Sequence, residues 1–284
     1  MKTETRTLYH YCSVDTLIKI LESRTIRLSD ITKSNDKQEI SFLFSNYVSY
    51  LKKESPNQDS PKALEYEIKK LEEETDFLVV CFSENRDSLY MWNSYAKGGV
   101  CIGFDKEKLK KWASHINVIN HSIIYNPQGD YTYASFDKVE YYNKKTVQKY
   151  IKSKCTNITF LTEPFGEVYS KTPFSKTNFW AEEKEWRVSV PMKYDIYDIY
   201  SYERRLNLSE RIRATFLSNR EVPLCASCFV PFCPKMISEI VLAPDCKASL
   251  SDIKKMLAVY GINRVANIHL DYSQGHPNQY GGEK

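Results

Sequence analysis

Residues 77–104 read FLVVCFSENRDSLYMWNSYAKGGVCIGF. The stretch opens on six apolar residues rich in β-formers, 77–82, and closes on a second apolar run, 99–104. Continuous apolar runs of this length read as buried strands. Between them, Ser83-Glu84-Asn85-Arg86-Asp87 is a polar turn. Leu89, Trp92 and Ala96 then fall at helical spacing, with Trp92 and Tyr95 one turn apart. Gly98-Gly99 stops that helix. The order is strand, polar loop, short aromatic helix, strand, which sets two large aromatics over the end of a buried sheet. Ligand pockets are often built this way. The same pattern also fits a βαβ-like core unit in which Trp92 is filler.

Towards the N-terminus, residues 8–12 (LYHYC) form a short strand. Its alternation sends Tyr9 and Tyr11 to one face and His10 to the other. Ser13 can cap the helix that follows, whose inward face is Val14, Leu17, Ile18 and Leu21. Residues 25–29 are a strand, 38–53 a helix burying Ile40, Leu43, Phe44, Tyr47 and Leu51, and 62–74 a helix with a solvated charged face. Towards the C-terminus the pattern predicts a basic helix at 106–114, a strand at 121–125, a turn at 127–130 and a lysine-faced helix over 136–154. Residues 179–190 (FWAEEKEWRVSV) end in a strand, and 193–220 form a charged, helix-containing excursion. Residues 236–243 are a strand. A helix starts at Ser249 with Asp252 in a box-like arrangement and ends at Gly261, and 265–270 are a last strand. Strands and helices intermix without strict alternation or repeat, so the expectation is one α+β domain over 1–272 with a flexible polar tail, 273–284.

The chain has 284 residues, 40 Lys and Arg against 36 Asp and Glu, and nine glycines. A net charge of +4 is too slight to argue for nucleic acid by itself. Neither GxGxxG nor GxxxxGK[ST] occurs, which argues against a glycine-rich phosphate cradle. Twenty-one tyrosines favour aromatic-lined surfaces. No apolar window is long enough to span a membrane, and the polar start MKTETRTLYHYC has no signal-like segment. Eight cysteines without such a signal are expected to be reduced thiols in a cytoplasmic protein.

Four groups of residues could carry chemistry. His10 is a core histidine or a donor in a pocket. In AEEKEWRVSV, a strand beginning near Glu183 puts Glu183, Glu185 and Arg187 on one face. A carboxylate there is either an internal Glu–Arg pair or a site carboxylate. Asn35, Asp36 and Glu39 form a polar knot, explained equally by an acidic helix start. Cys225 and Cys228 with Cys233 have half of a zinc motif, but the second pair is missing, so no metal is expected.

Taken in order, Tyr9-His10-Tyr11-Cys12-Ser13, Asn35-Asp36-Lys37-Gln38-Glu39, Cys81-Phe82-Ser83 with Met91-Trp92 and Tyr95, and Glu183-Lys184-Glu185-Trp186-Arg187 resemble the motifs of a bacterial family of unknown function. That family is often found near phage-defence genes. Lys37 and Ser34 depart from its loop motif, which has proline and an aromatic there. The family in turn is distantly similar to the ADP-ribosyltransferase fold. The resemblance implies a split mixed β-sheet core with peripheral helices and an NAD-consuming enzyme of a defence or toxin type. Such an enzyme is an ADP-ribosyltransferase acting on an unknown protein or nucleic-acid acceptor, or an NAD glycohydrolase. Glu185, His10 and Trp92 would be catalytic, and Glu185 the essential carboxylate ahead of Glu183 and Glu182. His10, Tyr11, Ser13, Asn35, Asp36, Ser83, Trp92, Tyr95 and Arg187 would contact NAD, with His10 and Glu185 facing one cleft. A carboxylate there stabilises an oxocarbenium-like transition state, and an aromatic face orients nicotinamide. A non-enzymatic nucleotide- or nucleic-acid-binding defence module on the same fold is the alternative.

Overall fold

The computed structural model describes residues 6–31, 39–54, 75–119, 122–126, 134–155, 162–193 and 227–275. The expected helix at 62–74, the turn at 127–130, the excursion beyond residue 193, Asn35, Asp36 and Cys225 therefore lie outside the described residues.

The central sheet is mixed and runs β11 (Ser227–Pro231), β2 (Thr25–Asp30), β3 (Thr75–Ser83), β1 (Thr7–Cys12), β4 (Val100–Asp105), β12 (Ile237–Leu242), β13 (His269–Tyr272). β1 is antiparallel to both β3 and β4, so these two are parallel to each other. The opening stretch is thus a β3–α3–β4 crossover, with α3 (Leu89–Tyr95) as its helix and β1 inserted between its strands. The other edge of β3 is taken along its whole length by β10 (Glu185–Lys193), which in turn pairs with β7 (Ser135–Lys138).

Two cores pack on this sheet. Leu78, Val80 and Phe82 of β3 join one with Leu8, Ile102, Phe104 and Leu17, Ile20 and Leu21 of α1 (Val14–Ser23). α4 (Lys106–Ala113) adds Leu109 and Trp112, and α7 (Leu250–Val259) adds Ile253 and Leu257. Phe77 and Val79, pointing the other way, join the second core. There they meet Leu43, Phe44 and Tyr47 of α2 (Glu39–Glu54), Val147 and Ile151 of α5 (Lys144–Lys154) and Val168 of α6 (Thr162–Lys171). Each such side chain, fully buried, contributes about 1.5–3 kcal/mol.

The expected caps form. Ser13 Oγ accepts from Thr16 N, and Ser249 and Asp252 close a reciprocal box on α7. Two expectations are corrected. Residues 136–154 are β7, β8 (Glu140–Tyr142) and only then α5, because β10 recruits 135–138 into the sheet and β9 (Ser175–Thr177) pairs with β8. The last strand is shifted to His269–Tyr272, after a 3-10 turn at Ile262–Arg264. β5 (Ile116–Ile119) was unforeseen; it pairs with β6 (Ser122–Tyr125). The tail is held further than expected: Ser273 is buried, and Ser273 Oγ and Gln274 N both donate to Asp87.

Candidate functional site

The register decides which side chains can meet. Directly opposed residues of antiparallel strands project to the same face. Tyr9 opposes Ser83, and Ser83 opposes Glu185, so these three share a face. Arg187 opposes Cys81 on that same face. His10, one residue from Tyr9, projects to the opposite face, where its ring lies 6.0 Å from Phe82. His10 and Glu185 therefore do not face one cleft, and the expectation that they form one site is corrected.

Both nonetheless touch Cys81, where the sheet opens. β2 pairs with β3 at Leu78 and Val79, and β1 pairs with the same edge at Ser83. In the gap between them, His10 Nδ1 bonds the Cys81 carbonyl at 3.0 Å. From the other face, the Cys81 thiol donates to the Glu185 carboxylate. Burial pushes the thiol well above its usual range, with Glu185 adding to the shift, and burial lowers His10. Protein thus surrounds both groups closely, yet Cys81 is exposed and His10 partly so. The raised thiol makes Cys81 a poor nucleophile.

On the Glu185 face lies a buried ion cluster. Arg187 grips Glu185 with two hydrogen bonds, 2.8 and 3.0 Å, donates to the Pro173 carbonyl at 2.6 Å and pairs with Glu39. Lys176 Nζ lies 2.7 Å from Glu183, 2.9 Å from Glu185 and 3.3 Å from Glu39. Three carboxylates face two cations. Burial would raise Glu185, but Arg187 and Lys176 override it and hold the carboxyl well below the usual range. Glu183 moves the other way: burial raises it, the Glu185 charge adds to this, and Lys176 only partly opposes it. Two carboxylates bound to one ammonium and driven apart in this way are suited to different protonation roles.

The strand begins at Glu185, not near Glu183. Asn178–Glu183 is a 3-10 turn ended by Lys184 in the left-handed region, φ 44°. Ser83 Oγ donates to the Glu183 carbonyl at 2.5 Å and accepts from Asn85 N, so it ties the 84–88 loop to this turn. Glu183 is thereby aimed at α3, where Tyr95 donates to its Oε1.

Of Trp92 and Tyr95, only Tyr95 reaches solvent, at 38% exposure against 2% for Trp92. Trp92 fills the core, edge-on to Tyr11 at 4.7 Å, with Nε1 donating to Asp87 at 2.6 Å. The expected catalytic role of Trp92 is corrected to a structural one. Tyr11 is likewise buried, donating to the Asn85 carbonyl and accepting from Ser88 N. Ser13 serves as the α1 cap. Tyr90, half-exposed, and Phe179, fully exposed, stand on the two elements that flank Glu183. Lys176 and Glu39 complete the cluster. Glu39 belonged to the polar knot read from sequence, whereas Lys176 sits in KTPFSKTNFW with no signal to single it out.

Among the described residues no group of three His, Cys, Asp or Glu is arranged to hold a metal ion, and no helix is long and apolar enough to cross a membrane. Cys228 is half-buried on β11 and Cys233 is exposed.

The segment from α3 to β10, residues 91–188, is similar to a family described as "Protein of unknown function (DUF2971)". That stretch contains Tyr95, Lys176, Glu183, Glu185 and Arg187, and leaves out His10 and Glu39. No curated protein and no solved structure matches the chain.

Proposed function

We propose that the chain is an NAD-consuming enzyme that breaks the nicotinamide–ribose bond on an ADP-ribosyltransferase-like split core. It is an ADP-ribosyltransferase or, with water as acceptor, an NAD glycohydrolase. One observation carries the reading: Glu183 and Glu185 share the Lys176 ammonium, with opposite shifts, beside a half-exposed tyrosine. Glu185 stays anionic and supplies negative charge where the ribose becomes oxocarbenium-like. Glu183, whose proton affinity is raised, is the base for the incoming acceptor. Tyr90 and Tyr95 offer faces on which nicotinamide can stack. His10 and Trp92 have no direct part in this site. The defence or toxin setting remains part of the proposal on the strength of the motif likeness, and a cytoplasmic location on that of the eight cysteines expected to be reduced.

A second reading has its own observation. Arg187 occupies both oxygens of Glu185, which is how a purely internal pair would be built. The protein would then be a nucleotide-binding module.

The test is a mass balance on pure protein and NAD. Free nicotinamide, abolished in Glu183→Gln and Glu185→Gln variants that remain folded, supports the enzyme; labelled ADP-ribose on a macromolecule separates transferase from glycohydrolase. NAD that binds but is never cleaved selects the module, and neither binding nor cleavage removes both readings.

A further inference from the structure

Glu183 is 2% exposed. Its Oε2 is held by Lys176 at 2.7 Å and its Oε1 by Tyr95. Its main chain is fixed at both ends, by Ser83 on its own carbonyl and by the Lys184 carbonyl accepting from Glu84 N at 3.1 Å. The carboxylate cannot swing outward without breaking this frame. An acceptor in solvent therefore has no direct path to it. Tyr95 does: its hydroxyl bonds Glu183, and its residue is 38% exposed.

We infer that Tyr95 is a catalytic proton relay, passing the proton of the acceptor hydroxyl to Glu183. The inference rests on the NAD reading above and adds a residue role to it. As the acceptor oxygen bonds ribose C1′, the C1′–nitrogen bond breaks and its electron pair leaves with neutral nicotinamide. The acceptor O–H proton moves to Tyr95 Oη while the Tyr95 proton moves to Glu183 Oε1. Tyr95 ends neutral, as it began, and Glu183 ends protonated. The acceptor class is a hydroxyl compound, or water in the hydrolytic branch. Burial and the adjacent Glu183 push the Tyr95 phenol well above its usual range, so it transfers protons without ionising. The other titratable groups facing Glu183 are Lys176, Glu185, Tyr90 and Tyr141, with Arg187 and Glu39 behind them. None of these links the carboxylate to an acceptor: Lys176, Glu185, Arg187 and Glu39 are buried, Tyr90 makes no hydrogen bond to it, and the Tyr141 hydroxyl is engaged by Glu185 N.

The experiment compares the full chain with Tyr95→Phe, Glu183→Gln and the double variant. The first readout is NAD turnover. The second is the infrared carboxyl band of Glu183 against pH, assigned by its loss in Glu183→Gln. Removing a positioned general base or its relay lowers rate by about 10²–10⁴-fold. Tyr95→Phe should lose kcat on that scale with KM for NAD little changed, and the double variant should be no slower than Glu183→Gln alone. In Tyr95→Phe the Glu183 band should titrate at higher pH, because a hydrogen bond to the carboxylate is gone. A folded Tyr95→Phe with normal kcat, or additive losses in the double variant, overturns the relay. If the wild-type chain releases no nicotinamide, the NAD reading falls and the relay falls with it. The infrared band then still decides the contact: an unmoved Glu183 titration in Tyr95→Phe refutes the hydrogen bond on which the relay was built, independently of NAD.

Discussion

Replacing Glu185 by Gln tests how far the ion cluster holds the fold together. In the wild type the Glu185 carboxylate accepts two hydrogen bonds from Arg187 and lies 2.9 Å from Lys176 Nζ. Gln keeps one acceptor and turns a donor towards either Arg187 or Lys176, so at least one donor–donor contact results. Breaking one side of a buried pair costs about 3–5 kcal/mol. Here the three carboxylates exceed the two cations, and removing one negative charge relieves repulsion on Glu183 and Glu39. That places the loss at the low end, about 3 kcal/mol. For a chain of this size the midpoint of thermal unfolding should fall by roughly 6–12 °C, at about 2–4 °C per kcal/mol. The assay is thermal and urea unfolding followed by circular dichroism, with Arg187→Met and the double variant completing a cycle. The double variant should be little worse than Arg187→Met, since the two substitutions remove the same pair. A Glu185→Gln loss under about 1 kcal/mol, or additive losses, would refute the view that this pair braces β10. NAD turnover is measured well below the variant's midpoint, so that a rate effect is not mistaken for unfolding.

Other consequences can be measured alongside. Trp92→Ala should cost about 3–5 kcal/mol by denaturant unfolding while leaving nucleotide affinity of the folded protein unchanged; a large affinity loss at near-normal stability would make Trp92 a ligand contact after all. Gly99→Ala should fail to fold or lose several kcal/mol, because a Cβ there would overlap the Cys12 carbonyl oxygen; a soluble variant of wild-type midpoint would contradict the β1–β4 packing. Burial lowers His10, so the unfolded chain takes up its proton first and stability falls as pH drops through the ordinary imidazole range. His10→Gln should flatten that limb of the stability–pH curve, and an unchanged limb would show that His10 does not titrate as its burial implies. Elemental analysis should find no stoichiometric zinc; one equivalent, lost in Cys228→Ser, would reveal a site completed through residues around Cys225.

Local chemistry was legible in the sequence wherever a segment's own pattern decided its state. The caps at Ser13 and Ser249, the inward Leu17 and Leu21 of α1 and the strand–loop–helix–strand order of 77–104 all depend on neighbours within a few residues. The common face of Glu185 and Arg187 was legible too, since it follows from strand alternation alone. Tertiary structure decided three further matters. Residues 136–138 read as helix but became part of a strand, because their partner Trp186–Val188 lies some fifty positions away and supplies the ladder. Which of Trp92 and Tyr95 is buried depended on Tyr11 and Asp87 closing over the former. Whether His10 meets Glu185 depended on the registers of β1, β3 and β10, in which a shift of one residue reverses every face. Lys176 carried no mark in the sequence at all. Its role exists only because β9 delivers its ammonium between three carboxylates drawn from α2, the 3-10 turn and β10.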